Sequence, residues 1–344
     1  MLTRMTLGML AKRVMLELPK RNRSEPAGDH LIGAIDIGGT KIAIAVVDDH
    51  GCIVARAECP TAAERGFPDG LARIIAMLRE TAARAGAKFH GIGIGCTGPI
   101  NPFTGVLGTV DLLPGWQGSA IVAGLSEAFH VPVAMENDAD AAGLAEAVWG
   151  AGRGKRRFLY VTVGTGIGVA IILDGALYRG VDGSHPEIGH QVIDACGPPC
   201  YCGARGCWEI LASGPAILAW AKTRIAPDHP GDSEPTMKRV CELAEAGDPA
   251  ALAVMDRQGY YLGLGLANLV TTFCPDMIAL GGGVMRSAHL FLDRARQVIR
   301  QCCTMVPFEK AELALASLGA DTALAGAAQV WHHRFGPERK AHAI

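Results

Sequence analysis

The sequence has no excess of one charge, no long uncharged apolar run and no secretory-leader pattern. Its 32 basic and 34 acidic residues leave a formal charge of −2. That balance gives no electrostatic footprint for nucleic acid or an anionic membrane surface, so neither is expected among its partners. No stretch of 18 apolar residues is free of charge, so no transmembrane helix is expected. The first 23 residues carry Arg4, Lys12, Arg13, Lys20, Arg21 and Arg23, and Lys12, Arg13 and Glu17 interrupt any hydrophobic leader segment. Residues 1–29 read instead as a disordered extension, or as the product of a start codon placed too early.

What is there suits a globular protein. At about 150 residues per domain, 344 residues make roughly two domains. The chain is 49% hydrophobic and 19% charged, enough apolar material for a sizeable core, which excludes wholesale disorder. Eleven cysteines, an odd number without a leader, argue against a disulfide framework and for a reducing, cytoplasmic compartment. Four of them fall between Cys196 and Cys207, a crowding that suggests a metal rather than bridges.

The order of elements narrows the fold. LIGAI at 31–35 reads as a buried strand, Asp36 to Lys41 as a glycine turn, and IAIAVVDD as a second strand closed by Asp49-His50-Gly51. A Walker loop or a dinucleotide fingerprint needs a helix after its glycines, so both are excluded. The layout recurs as FLYVTV, then Gly164 to Gly168, then VAIILDG. Placing Gly38 on Gly164 is an offset of 126 residues, and it puts Asp48 on Asp174. Two such hairpins, each opening a domain, suggest a duplicated architecture. A helix is expected at about 69–86, strands at 91–95 and 131–137, and a Gly/Pro-rich loop at 98–118. An alanine-rich helix over 138–149 should end at Gly150 and Gly152. Residues 175–215 read as irregular and in need of a staple. Helices follow from 235, interrupted by a strand at 277–284 that enters a glycine turn. A last helix at about 321–334 is expected to pack back on the first domain. The whole reads as alternating α/β in two lobes with a cleft between them: 30–145 with the last helix, and 146–320.

Four constellations could carry chemistry. In the first, Asp36 precedes Gly38, Gly39, Thr40 and Lys41, a turn whose bare backbone N–H groups and Thr40 hydroxyl could receive an anion while Asp36 holds a water on Mg²⁺. Gly164, Thr165 and Gly166 could grip the same polyphosphate from the other lobe, and Gly282 and Gly283 could let an adenine lie close to the backbone. Each turn alone also reads as a plain tight turn. In the second, Asn137 and Asp138 stand at a strand-to-helix junction, where either could merely cap the helix or Asp138 could serve as a general base. In the third, His190, Cys200, Cys202 and Cys207 supply three thiolates and an imidazole, the donor set of a closed structural zinc site; Cys196 is an alternative thiol. In the fourth, Glu187 and Glu209 flank that loop, which would fix both carboxylates to read vicinal hydroxyls unless they are simply solvated acids.

On DIGGTK at 36–41, TGP at 97–99, LPGW at 113–116, ENDAD at 136–140, VGTGIG at 163–168, HPEIGH at 185–190 and CYCGARGCWE at 200–209, the chain resembles the ROK family of repressors and sugar kinases. The resemblance covers about residues 31–330. It implies the actin-like, ribonuclease-H-like two-lobed ATPase fold with a duplicated βββαβα core and a zinc-stapled loop at 185–209. It also implies roles: Asp138 as catalytic base, and Gly98, Asn137, Asp138, Glu187, His190 and Glu209 around the sugar. The glycine turns fall on the ATP phosphate sites, and His190, Cys200, Cys202 and Cys207 on the zinc ligands. Two positions depart from the family's commoner pattern. Asp140 stands where many members have Asn, and His185-Pro186-Glu187 where many glucokinase-like members have Ala-Gly-Glu. Family repressors carry a winged helix-turn-helix ahead of the core, and a first strand near residue 31 leaves no room for one. The expectation is an ATP-dependent glucokinase-type hexose kinase using Mg·ATP and structural zinc, and a homodimer. A fructokinase, an N-acetylglucosamine or N-acetylmannosamine kinase and a non-catalytic sugar sensor are the alternatives.

Overall fold

A computed structural model describes residues 31–227, 229 and 234–336, so the reading of residues 1–29 as an extension lies outside the described residues. The first sheet is built from β1 (Leu31–Ile37), β2 (Lys41–Val47), β3 (Ile53–Pro60) and β4 (Phe89–Cys96), with α1 (Phe67–Ala85) crossing between β3 and β4. A small hairpin follows, β5 (Ile100–Asn101) and β6 (Val106–Leu107), inside the stretch expected to be loop. Next come α2 (Ile121–Phe129), β7 (Val133–Asn137) and α3 (Asp138–Val148). The sheet order is β3-β2-β1-β4-β7, antiparallel through β2 and parallel from β1 outward.

The second sheet repeats this plan. Its strands are β8 (Arg157–Val163), β9 (Ile167–Leu173), β10 (Ala176–Leu177), β11 (Met277–Gly281) and β12 (Glu312–Leu315), in the order β10-β9-β8-β11-β12. Counted within each half, both sheets run third, second, first, fourth, fifth, so the duplication expected from the two glycine hairpins extends to whole sheets. Between β10 and β11 lie α4 (Trp208–Ala212), α5 (Gly214–Ala221), α6 (Met237–Glu245) and α7 (Pro249–Phe273); α8 (Leu292–Cys302) joins β11 to β12, and α9 (Thr322–Phe335) ends the described chain. The stretch 175–215 is thus less irregular than expected, because Trp208 is fully buried and starts a helix at its far end.

Helices α3 and α9 pack on each other between the sheets. Ala141, Ala142 and Leu144 of α3 and Val330 of α9 share a core with Phe158, Tyr160, Ala170 and Ile172 of the second sheet. Leu324, Ala327 and Ala328 of α9 cover Ile32, Ala34, Ala45 and Val47 of the first sheet, so the last helix does return to the first half of the chain. Small residues permit this nesting. A Cβ at Gly93 of β4 would collide with the Ala327 carbonyl, so only glycine lets α9 lie this close.

At the end of α3, Glu146 is fully buried. Its carboxylate accepts from the backbone N–H groups of Ala151 (2.9 Å), Ser317 (3.1 Å) and Leu318 (2.9 Å), and from the Ser317 hydroxyl (3.4 Å). It therefore ties the helix to the segment that leads from β12 into α9. Removing it strands several part-buried donors, each a penalty of up to about 1–3 kcal/mol. Glu146→Ala is expected to lower the thermal midpoint by several degrees, and Glu146→Gln by less. Superimposable melting curves for wild type and Glu146→Ala would show that the clamp carries no stability.

Candidate functional site

Strand register gathers the site at one edge of each sheet. Ile37 pairs with Cys96 and Cys96 with Asn137, so the Gly38-Gly39-Thr40 turn, Thr97-Gly98 and Asn137-Asp138 all leave the first sheet at the same end. In the second sheet Gly281 pairs with Thr162, so Gly164 and Gly282 also emerge together. Gly282 has φ +89°, and a Cβ there would strike the Val163 backbone, so its glycine is required by the close approach of the second and third turns. Gly283 and Gly164 face open space. A Cβ at Gly168 would lie 2.7 Å from that of Ala139, which places the start of β9 against the first turn of α3. Gly168 itself belongs to β9, so the second turn is shorter than expected, Gly164 to Gly166.

Asp138 occupies the meeting point. Asn137, not Asp138, is the helix cap: its Oδ1 accepts from Ala139 N (2.8 Å) and Asp140 N (3.4 Å). Asp138 is the first helical residue, and its Oδ1 also accepts from Ala139 N at 2.8 Å. With that oxygen on its cap, Asn137 has its amide nitrogen free to face Gly98, where a Cβ would sit 3.2 Å away. Although the Asp138 side chain is reached by solvent, the dense protein around it raises its carboxyl, against the Ala139 N–H and the charge of His185, and the charge of Asp140 adds to the rise. Burial and then the charge of Asp138 push Asp36 up to about 6, with Lys41 pulling the other way. Two neighbouring carboxyls that repel in this way form a place where a divalent cation, arriving with a polyphosphate, would be welcome. Lys41 itself is exposed and bonds Glu58 of β3 at 3.2 Å. Thr40 and Thr165 are exposed on their turns.

The loop after β10 carries the second group. One donor atom from each of His190, Cys200, Cys202 and Cys207 lies within 4.8 Å of the others. Cys200 Sγ is 3.5 Å from His190 Nδ1 and Cys202 Sγ is 3.6 Å from Cys207 Sγ. Zinc–sulfur bonds of about 2.3 Å at tetrahedral angles separate their sulfurs by about 3.8 Å, so the residues present fit zinc. Burial, then the hydrogen bonds and charges of Cys202 and Cys200, push the Cys207 thiol up to about 12, a repulsion that a metal cation would remove. Cys196 is not among these donors.

Around that group, Tyr201 was not foreseen. Its hydroxyl donates to Glu209 Oε1 (2.7 Å) and lies 3.1 Å from His190 Nε2. Glu209 Oε2 accepts from Ile167 N at 2.9 Å, so one carboxylate links the zinc-type loop to the second glycine turn. Glu187 and His190 line a cavity of about 430 Å³ together with Asn268, Leu269, Thr272 and Phe273 of α7. Two further buried pairs flank Asp138: Arg179 with Glu136, and His185 with Asp140. No local pattern marks either pair, because their partners lie 43 and 45 residues apart in sequence.

Comparison with known proteins agrees with this arrangement. The ROK family model matches residues 32–334. A glucokinase of Halalkalibacterium halodurans is 34% identical over 309 residues, covering 85% of this chain and 92% of that protein. The crystal structure of a ROK family glucokinase from Streptomyces griseus in complex with glucose and AMPPNP is 31% identical, with a TM-score of 0.75 over 87% of this chain and 98% of that one. A xylose repressor of Bacillus spizizenii is 34% identical over 209 residues, 61% of this chain and 52% of the repressor. The paired five-stranded sheets are thus the two halves of an actin-like ATPase fold. With a match across nearly all the described residues and a relative this similar over most of its length, the chain belongs to the ROK family.

Proposed function

We propose that the protein is an ATP-dependent hexose kinase that phosphorylates the 6-hydroxyl of glucose. The observation that carries this reading is Asp138. Its carboxylate stands at the start of α3, open to solvent, at the level where glycine turns of both sheets converge. Phosphoryl transfer passes through a loose transition state, so the protein's work is to align the hydroxyl, hold the phosphates and take up one proton. Asp138 accepts the hydroxyl's hydrogen bond and then its proton. The turns at Gly38-Gly39-Thr40 and Gly164-Thr165-Gly166 receive the phosphates on their N–H groups, and Gly282-Gly283 borders the adenine. Asp36 would hold the Mg²⁺ that comes with ATP, and that cation would offset the charge of the phosphates.

Gly98, Asn137, Glu187, His190 and Glu209 hold the remaining sugar hydroxyls. His190 would serve twice, with Nδ1 turned to the cysteine sulfurs and Nε2 turned to Glu209's partner hydroxyl. Zinc held by His190, Cys200, Cys202 and Cys207 would keep the loop in shape, since four protein ligands leave no open position for chemistry. The glucokinase relative and the neighbour solved with glucose and AMPPNP support glucose and ATP. The repressor relative keeps a sugar-sensing role as the competing reading.

The test is ADP release from Mg·ATP across glucose, fructose, mannose, N-acetylglucosamine, N-acetylmannosamine and allose. Glucose is expected to give the highest turnover. Asp138→Ala should lower that turnover by roughly 10²–10⁴-fold while leaving glucose binding in place. Binding of a sugar without turnover of any would replace the kinase by a sensor, and near-wild-type turnover in Asp138→Ala would remove the base. For the metal, Cys202→Ser should carry well under one zinc per chain by elemental analysis and melt at lower temperature; a full zinc in that variant contradicts the ligand set.

A further inference from the structure

Two buried ionisable residues beside the proposed base have no part in the chemistry above. Asp140 lies in the first turn of α3, two residues beyond Asp138, and is 1% exposed. His185 belongs to the loop that leads to Glu187. Its Nδ1 lies 2.9 Å from Asp140 Oδ2, and the two side chains are only 10% and 2% exposed. The N–H is not aligned on that oxygen, and Asp140 Oδ1 has no hydrogen-bond partner among the described residues, so the contact is drawn by charge. These are also the two positions at which the sequence departs from the family's commoner pattern. In the folded chain the two departures are one pair.

We infer that Asp140 and His185 form a positioning pair for Asp138, in which the buried carboxylate fixes the imidazole beside the base and with it the backbone that carries Glu187. The inference rests on the reading of Asp138 as base. A carboxylate buried alone is strongly unfavourable, and the imidazolium offsets it. Burial works against a charged His185, but contact with Asp140 and the charges of Asp140, Glu187 and Asp138 outweigh it, and the ring holds its proton more tightly than in water. At Asp138 the imidazolium opposes the rise that burial causes, while Asp140 adds to it. Several other groups face Asp138: Asp36 of β1, Cys96 of β4 and Tyr160 of β8, with Lys41 acting on Asp36. The first three are acids. His185 supplies a positive charge that opposes the rise of the base's carboxyl.

Asp138 must be ionised to accept a proton, so anything that raises its carboxyl moves the acid limb of activity to higher pH. The imidazolium outweighs Asp140 in its effect on Asp138. The pH profile of kcat/KM with Mg·ATP and glucose should therefore order three proteins. Wild type should have the lowest limb. The neutral pair Asp140→Asn/His185→Gln should lie higher. His185→Gln, which leaves Asp140 bare, should lie highest, about one pH unit above wild type. KM for glucose should rise several-fold in His185→Gln as the Glu187 backbone loses its tether.

A uniform loss at every pH with an unmoved limb would reduce the pair to packing and overturn the inference. If His185→Gln fails to fold, the neutral pair still decides it, since a limb at or below wild type overturns it equally. Asp138→Ala run alongside separates the two readings. Wild-type turnover there removes the base and the pair together. Lost turnover with the wrong order of limbs removes the pair alone.

Discussion

Everything at the site depends on how α3 is confined. Residues 139–146 of this helix are all buried, because it runs between two sheets and against α9 rather than along a surface. A helix that is buried all round needs small side chains, and Ala139, Ala141, Ala142, Gly143 and Ala145 provide them. Its first turn presents Asn137, Asp138 and Asp140. Its last turn presents Glu146, clamped by the backbone of 317 and 318. The proposed base thus sits at one end of a rod held at the other. Its orientation is set by packing and by backbone donors, with no dependence on a long side chain finding one rotamer.

The electrostatics of the cleft follow from that burial. Asp36, Glu136, Asp138 and Asp140 lie within two strand ends and one helical turn of each other, with Glu136 and Asp140 buried, Asp36 half-buried and Asp138 open to the cleft. Burial alone would neutralise several of them. Arg179 against Glu136 and His185 against Asp140 answer two of the four charges, both delivered from the segment that follows β10. Asp36 and Asp138 are left to repel each other. A cationic or proton-sharing ligand is therefore favoured there, which suits the proton uptake proposed for Asp138.

Much of this was legible in the sequence, and the reasons are physical. Strands buried on both faces announce themselves as unbroken apolar runs, and glycine turns between them are unambiguous; hence β1, β2, β8, β9 and β11 were all foreseen. The zinc-type donors were legible because the four fall within 18 consecutive positions. What escaped shared one character. β3 alternates half-buried with exposed residues, β12 is four residues long with no buried one, and the β5–β6 hairpin has two residues a side. Asp140 and His185 each stood out as singular, but pairing them needs the fold to bring α3 to a loop 45 residues away. Tyr201 offered no signal beyond lying between two cysteines.

The placement of α9 has a consequence for synthesis. The first sheet is specified by residue 137, yet the helix that covers Ile32, Ala34 and Val47 does not exist until residue 322 onward. At ribosomal rates of about 5–20 residues per second, the intervening stretch takes roughly 10–40 s to make. For that interval one apolar face of a finished sheet is bare, while the second half of the chain emerges beside it. The nascent chain must therefore keep two similar, exposed halves from pairing wrongly until α9 leaves the tunnel, which makes these fourteen helical residues the closing element of the first sheet.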